Sequence, residues 1–418
     1  MKRFVYLNLK QLLTLIILLG CVFSFAQNTK EFKGQVLDKN TSKPLALADL
    51  SINNSNISTI SNNEGEFTLK VPENLLDNSV IITYLGYQKL ELPLSDFKPS
   101  NTKILLQQAA TVLAEVDIAA PKNAKDLVKK TLALKAENYY TENVFMTGFY
   151  RETIKKRNRN ASLSEAVVTI NKESYTSNKN DGITLIKARK NTDYSRLDTL
   201  ALKLQGGPFS SLYTDMIKYP KFIFTNDNLD NYKFWFTRST QINNRLVYVI
   251  NFKQNENINS PMYHGKLYID ANSYALTSAV YNLNVDNREE ASKLFVRKKP
   301  RKAIVYPTEA SYRVNYKTKN GKWHFGYSNI LLSFKVNWKN RLFNSRYTLQ
   351  SEMAITDWNI DQNLLTNKQN KKLRPSTILQ DQASGFSDPD FWGEYNIIEP
   401  EKSIESAIKK ISKNLKKV

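Results

Sequence analysis

The chain has 418 residues, more than one ordinary hydrophobic core absorbs and enough for two domains behind a leader. With 41% hydrophobic and 11% aromatic residues and only 13 Gly and 13 Pro, it is neither disordered nor low-complexity. A formal charge of +21 suits nucleic acid, anionic lipid or an anionic glycan, so the compartment has to choose among them.

The N-terminus makes that choice. Lys2, Arg3 and Lys10 form a basic start, residues 12–23 form a short apolar run, and Ser24-Phe25-Ala26 supplies the small residues of a signal-peptidase site. Residues 1–26 therefore read as a signal peptide cleaved before Gln27. Roughly 12 apolar residues fall short of the ~20 needed to span a bilayer, so no transmembrane segment is expected in the mature chain. Leu18-Leu19-Gly20-Cys21 also fits a lipobox, in which Cys21 would be lipidated and become the first residue; the apolar run after it favours cleavage at Ala26. That cleavage takes Lys2, Arg3 and Lys10 and no acid, so +21 falls to +18. It also removes the only cysteine, and with it any disulfide or thiolate metal site. Export, to the periplasm or the outer membrane's inner side, argues against nucleic acid. It leaves an envelope protein or an anionic lipid or glycan surface as partner.

Residues 27–108 read as an all-β unit. Strands are predicted over 32–38, 48–52, 67–71, 80–84 and 103–106, with turn signals at 39–44 and at Asn62-Asn63-Glu64-Gly65. Gly34-x-Val36-x-Asp38, Pro44-Leu45, Asn63-Glu64-Gly65-Glu66-Phe67 and Thr83-Tyr84-Leu85-Gly86-Tyr87 resemble the carboxypeptidase regulatory-like domain. The resemblance implies a transthyretin-like, seven-stranded sandwich that serves as an adaptor and not as a catalyst.

Residues 109–122 read as a connector containing a strand-like Val116-Asp117-Ile118. Asn123 is placed to cap a helix bearing Leu127, Val128, Thr131 and Leu132 on one face. All five Trp follow. Tyr312, Val314 and Tyr316 alternate with polar residues, Asn320-Gly321 marks a hairpin turn, and Leu332, Phe334, Val336 and Trp338 alternate beyond it. Residues 246–252 and 267–269 are further strands. The expected fold is mainly β: the sandwich, then a large curved antiparallel sheet, a half-barrel with a few helices, over 123–360. Gly148-Phe149-Tyr150-Arg151-Glu152, residues 163–168 and Gly265-Lys266-Leu267-Tyr268-Ile269-Asp270 resemble an uncharacterised envelope family. Its members place a lipoprotein-carrier-like half-barrel after the sandwich, and some continue into a membrane barrel. No run of alternating strands follows residue 360 here, so the barrel part is expected to be missing.

Residues 361–418 read as a polar linker, over 362–388, and a C-terminal amphipathic helix. Asp388-Pro389-Asp390-Phe391-Trp392 looks like an aromatic anchor for the tail. Ile404, Ala407, Ile408, Ile411 and Leu415 form a stripe flanked by lysines, suited either to an anionic membrane or to packing on its own domain.

Chemistry leaves few traces. His264 and His324 are the only histidines, in neither an H-E-x-x-H nor an H-x-x-E spacing, so no metal site is expected. No G-x-S-x-G elbow and no phosphate-binding glycine loop occurs. No catalytic residue and no cofactor can be named. Arg151, Glu152 and Glu165 form the one charged cluster to single out. Arg151 and Glu152 point to opposite faces of a strand, and Glu165 follows a hairpin that can bring it opposite one of them. The cluster suits a polar group guarding a cavity, or an ion pair on a solvated face. The basic stretches 155–159 and 297–302 read as loops. The expected function is non-catalytic binding or scaffolding. The alternatives are a carrier of a lipid or other hydrophobic ligand in the second domain and, behind it, a carbohydrate-active enzyme using two carboxylates.

Overall fold

The computed structural model describes residues 29–109, 123–157, 159–192, 205–223, 225–296, 299–339, 344–359, 371–383, 391–402 and 404. The predicted leader with Cys21, the strand-like 116–118, Asp388-Pro389-Asp390 and almost all of the C-terminal amphipathic stretch lie outside them. No helix among the described residues is long and apolar enough to cross a membrane.

The first unit has seven strands: β1 (Thr29–Asp38), β2 (Asp49–Ile52), β3 (Ser58–Ile60), β4 (Glu66–Pro72), β5 (Ser79–Thr83), β6 (Leu90–Pro93) and β7 (Thr102–Leu106). They form two sheets, β4-β1-β7 and β3-β2-β5-β6, that close over Phe32, Val36, Leu50, Phe67, Leu69, Val80, Ile82 and Ile104. The sequence reading misses β3 and β6. β3 is three residues long with two polar side chains, and β6 ends in a proline. Gly34 explains the tightness of the central strand. A Cβ there would lie 2.2 Å from the Thr102 carbonyl oxygen and 2.7 Å from the Phe67 ring, so any side chain would push β1 off β7. Gly65, at φ 73°, closes the Asn62–Gly65 turn in a conformation L side chains rarely adopt.

The second unit opens with helix α1 (Ala124–Ala133), whose cap is the Asn123 side chain accepting from the Lys125 amide at 2.8 Å. Its buried stripe includes Leu127, Val128 and Thr131, as the spacing predicts. Eleven strands follow: β8 (Val144–Lys156), β9 (Arg159–Lys172), β10 (Gly182–Thr192), β11 (Tyr232–Ile242), β12 (Arg245–Gln254), β13 (Tyr263–Asp270), β14 (Leu276–Leu283), β15 (Ala303–Lys319), β16 (Lys322–Trp338), β17 (Ser345–Asn359) and β18 (Lys371–Lys372). They make one curved antiparallel sheet in the order β11-β12-β13-β14-β15-β16-β17-β8-β9-β10-β18. β11 and β18 do not pair among the described residues, and the sheet is open, a half-barrel. Two of its hairpins turn on residue pairs with positive φ, Asn320-Gly321 and Asn243-Asn244.

Strand alternation gives the sheet two unlike faces. One carries Met146, Tyr150, Val168, Ile170, Ile250, Tyr281, Phe325 and Met353. It is covered by α1 and by Phe209, Leu212, Met216 and Ile217 of the segment 205–223. On the other, Phe149, Val167, Tyr327 and Ala354 meet Ile60 of the sandwich and Trp392 and Ile398 of the tail. The polar stretch after residue 360 does not all run free of the sheet. Lys371 and Lys372 pair with β10, and Leu373 and Leu379 are buried in the main core. These isolated apolar residues are what a polar average conceals.

The tail 391–402 lies between the two units and bonds to both. The Lys70 amide donates to Asn396 Oδ1 at 2.7 Å, and Asn396 Nδ2 donates back to the Lys70 carbonyl at 3.0 Å. Thr59 Oγ1 donates to the Ile397 carbonyl at 3.1 Å. On the far side, Arg151 Nη2 donates to the Ile398 carbonyl at 2.7 Å and Lys187 Nζ to that of Phe391 at 3.2 Å. Direct contacts add to this: Ser58 Oγ donates to the Ile355 carbonyl at 3.2 Å, Lys317 pairs with Asp49, and the Gly86 amide donates to the Gln241 carbonyl at 2.7 Å.

Candidate functional site

Residues facing each other across an antiparallel ladder share a face. One such row crosses ten strands of the large sheet on the face that meets the sandwich. From the β11 end it runs Trp235, Asn251, Lys266, Val280 and Arg313. It continues through Asn329, Glu352, Arg151 and Glu165 to Arg189. Nine of its ten members are polar or aromatic. The row is exposed at one end and buried at the other.

At the buried end, Arg151 is 2% exposed and Glu165 is fully buried. Arg151 Nε and Nη2 both lie 2.8 Å from Glu165 Oε1, and its Nη1 lies 3.2 Å from Glu352 Oε1. Arg189 holds the other Glu165 oxygen, with Nε at 2.8 Å and Nη2 at 2.7 Å. Two guanidinium groups thus sandwich one carboxylate, and Glu352 balances the charge. Trp392 closes the group from the tail, 4.8 Å from the Arg189 guanidinium carbon and edge-on to Phe149. Of the two strand neighbours that Glu165 could face, the ladder places it opposite Arg151. The pair does not lie on a solvated face, because the tail and the sandwich cover it. Glu152 is not part of this group. It points to the opposite face, accepts from the Tyr150 hydroxyl at 3.1 Å, and burial pushes its carboxyl up to about 7.

A second buried charge group escaped the sequence reading. Lys172 Nζ lies 2.8 Å from Asp181 Oδ2 and 2.9 Å from Asp215 Oδ2, and Tyr316 donates to Asp215 Oδ1 at 2.8 Å. Burial works against the charge on Lys172, yet Asp215 and Asp181 outweigh it and raise its pKa. The signal was available: Lys172 continues the inward series Ala166, Val168, Ile170 of β9. His324 is also buried, tilted over Trp358 with ring centroids 4.4 Å apart, and desolvation pulls its pKa down to about 3. His264 stands apart from it, exposed on β13. Among the described residues, no group of three or more His, Cys, Asp and Glu is placed to hold a metal ion.

At the exposed end the row opens into a groove of about 780 Å³ across β11–β15. Trp235 is 43% exposed at its edge, and Asn251, Lys253, His264, Lys266, Asn282 and Glu309 project into it. Its charges are largely spoken for: Glu256 pairs with Lys253 at 3.4 Å and Lys233 at 3.9 Å, and Glu309 Oε2 accepts from Ser333 at 3.2 Å. The side chains of Asn251, His264 and Lys266 have no hydrogen-bond or ion-pair partner among the described residues. The groove therefore offers an aromatic plate and unengaged polar side chains, and little net charge.

The sandwich can now be placed in a family. Residues 32–118 match the family model of the CarboxypepD_reg-like domain. The CarboxypepD_reg-like domain holds all seven strands except the first three residues of β1, and it agrees with the resemblance read from Gly34, Asn63-Glu64-Gly65 and Leu85-Gly86-Tyr87. No curated protein matches the chain significantly. Solved structures similar to it include a DUF1329 family protein from Desulfovibrio piger, 7% identical, over 56% of this chain and 93% of that one, at a TM-score of 0.23. Another is a LolA superfamily protein from Nitrosomonas europaea, 10% identical, over 58% of this chain and all of that one, at a TM-score of 0.20. Likeness at this level specifies neither ligand nor chemistry.

Proposed function

We propose that this is a non-catalytic binding and scaffolding protein of the bacterial envelope, acting on the periplasmic side of the outer membrane. In this reading the CarboxypepD_reg-like domain is a brace and the groove on the large sheet is the binding surface. The observation that carries it is the division of the sheet's sandwich-facing side. One end is sealed by the sandwich and tail through buried bonds, while the other presents a preformed open groove. A brace that fixes the sheet pre-organises the groove, which lowers the entropic cost of binding. The aromatic face, where a hydrophobic ligand would sit, is packed by α1 and residues 205–223.

The test is a photocrosslinking residue placed at Asn251 in the full chain, expressed in its own envelope. The expected result is a covalent adduct with an envelope component, absent when the same residue is placed at the exposed Ile304. No adduct from position 251 would remove the groove as the binding surface. A lipid that co-purifies with the chain in native mass spectrometry would move the reading to a hydrophobic-ligand carrier.

A further inference from the structure

We infer that the groove binds a glycan chain through the faces and hydroxyls of its sugar rings, an assignment that rests on the groove being the ligand surface. Four observations converge on it. The groove is open along the sheet and does not end in a closed cavity, so it admits a chain passing through. Trp235 is 43% exposed beside polar side chains, with no aromatic or cationic partner among the described residues. A sugar ring has an apolar C–H face that stacks on such a plate and a rim of hydroxyls that both donate and accept. Asn251 can do both toward that rim, His264 can do both as neutral imidazole, and Lys266 donates.

The charge pattern narrows the class. Glu256, Asp286 and Glu309 line the groove alongside Lys253, Lys266 and His264, which disfavours a polyanion such as nucleic acid. An acyl chain would gain little from a surface of carboxamides and charges. A peptide joining the β11 edge would use backbone groups and not the side chain of Trp235, which belongs to a face of the sheet. A hydroxyl-rich, near-neutral polymer fits what remains.

The test uses the full mature chain and isothermal titration calorimetry with cellohexaose, xylohexaose, chitohexaose and purified lipopolysaccharide. The expected result is saturable binding of at least one hexaose, weakened tenfold or more in Trp235→Ala and at least several-fold in Asn251→Ala. Ile304→Ala, outside the groove, should leave it unchanged. Since Trp235 is exposed, its removal leaves the fold intact, which circular dichroism checks. Response to lipopolysaccharide alone, lost in Trp235→Ala, would assign the glycan to the membrane's own sugars. If that response persists in Trp235→Ala, or if no probe binds, the inference is overturned. The crosslink at position 251 then separates the two failures: an adduct with a protein or lipid keeps the groove as binding surface and removes only the glycan.

Discussion

Glu165 is the residue on which the covered end of the sheet turns. It alone faces both Arg151 and Arg189, and its removal would leave two buried guanidinium groups short of an acceptor. Breaking a buried ion pair by deleting one partner costs about 3–5 kcal/mol. Glu165→Gln should show a loss of that order in urea unfolding, with Glu352→Gln costing less because that side chain is more exposed. Two other buried groups set opposing pH dependences. Glu152 titrates at about 7 when folded against 4.5 as a free carboxyl. Between these values the unfolded chain has released its proton and the folded one has not, so stability falls as pH rises from 4.5 to 7. His324 titrates at about 3 when folded against 6.5 when free, so below 6.5 the unfolded chain gains a proton and stability falls as pH drops. Glu152→Gln should gain stability relative to wild type as pH rises through 4.5–7, and His324→Gln as pH falls from 6.5 to 3. Burial also raises the pKa of Glu352 and Asp357, so the first slope shrinks without vanishing. Equilibrium unfolding at pH 4, 6 and 8 measures both. At this scale the sequence was legible where alternation sufficed, as for Arg151 and Glu152 on opposite faces of β8, whereas which of them Glu165 meets is set by the hairpin register. Arg189 was not legible, because its register depends on a bulge between Leu185 and Lys187 that no residue announces.

Among elements, the tail 391–402 does more than its length suggests. The aromatic anchor was readable from Phe391-Trp392. What it docks against was not, since its partners Lys70, Thr59, Arg151 and Arg189 lie hundreds of residues away in sequence. Two substitutions test its grip. Asn396→Ala removes both bonds to the Lys70 backbone and should cost about 1–3 kcal/mol, since it leaves a buried amide and carbonyl unpaired. Trp392→Ala should cost about 3–5 kcal/mol through the cavity left between Phe149 and Arg189. Both should also speed amide exchange in β3 and β4, where the tail's bonds end, while leaving β12–β14 unchanged. Hairpins show the same limit of reading: Asn320-Gly321 announces its turn, whereas Asn243-Asn244 adopts a similar positive-φ pair without the glycine that would have signalled it.

For the whole molecule, the sandwich and the sheet have separate cores but share a seam of buried hydrogen bonds, so they should unfold together. Differential scanning calorimetry should give one transition for the wild type and two for Trp392→Ala, the sandwich separating from the sheet. The sandwich and the large curved sheet after it were legible from turn spacing and alternation, because each core leaves its own local periodicity. The seam left none, being built from single apolar and polar residues scattered along the chain. The order of strands in the sheet has a consequence of its own. β8–β10 and β11–β17 are each simple meanders of neighbours, but they join only where β17 pairs with β8. Everything local can form as the chain emerges, yet β8 keeps one edge bare until residues near 345–359 have been made. The assembly clock of this protein is therefore set by a single late closure over a very long loop. Until that moment, the strand bearing Arg151 is the part of the chain most open to the wrong partner.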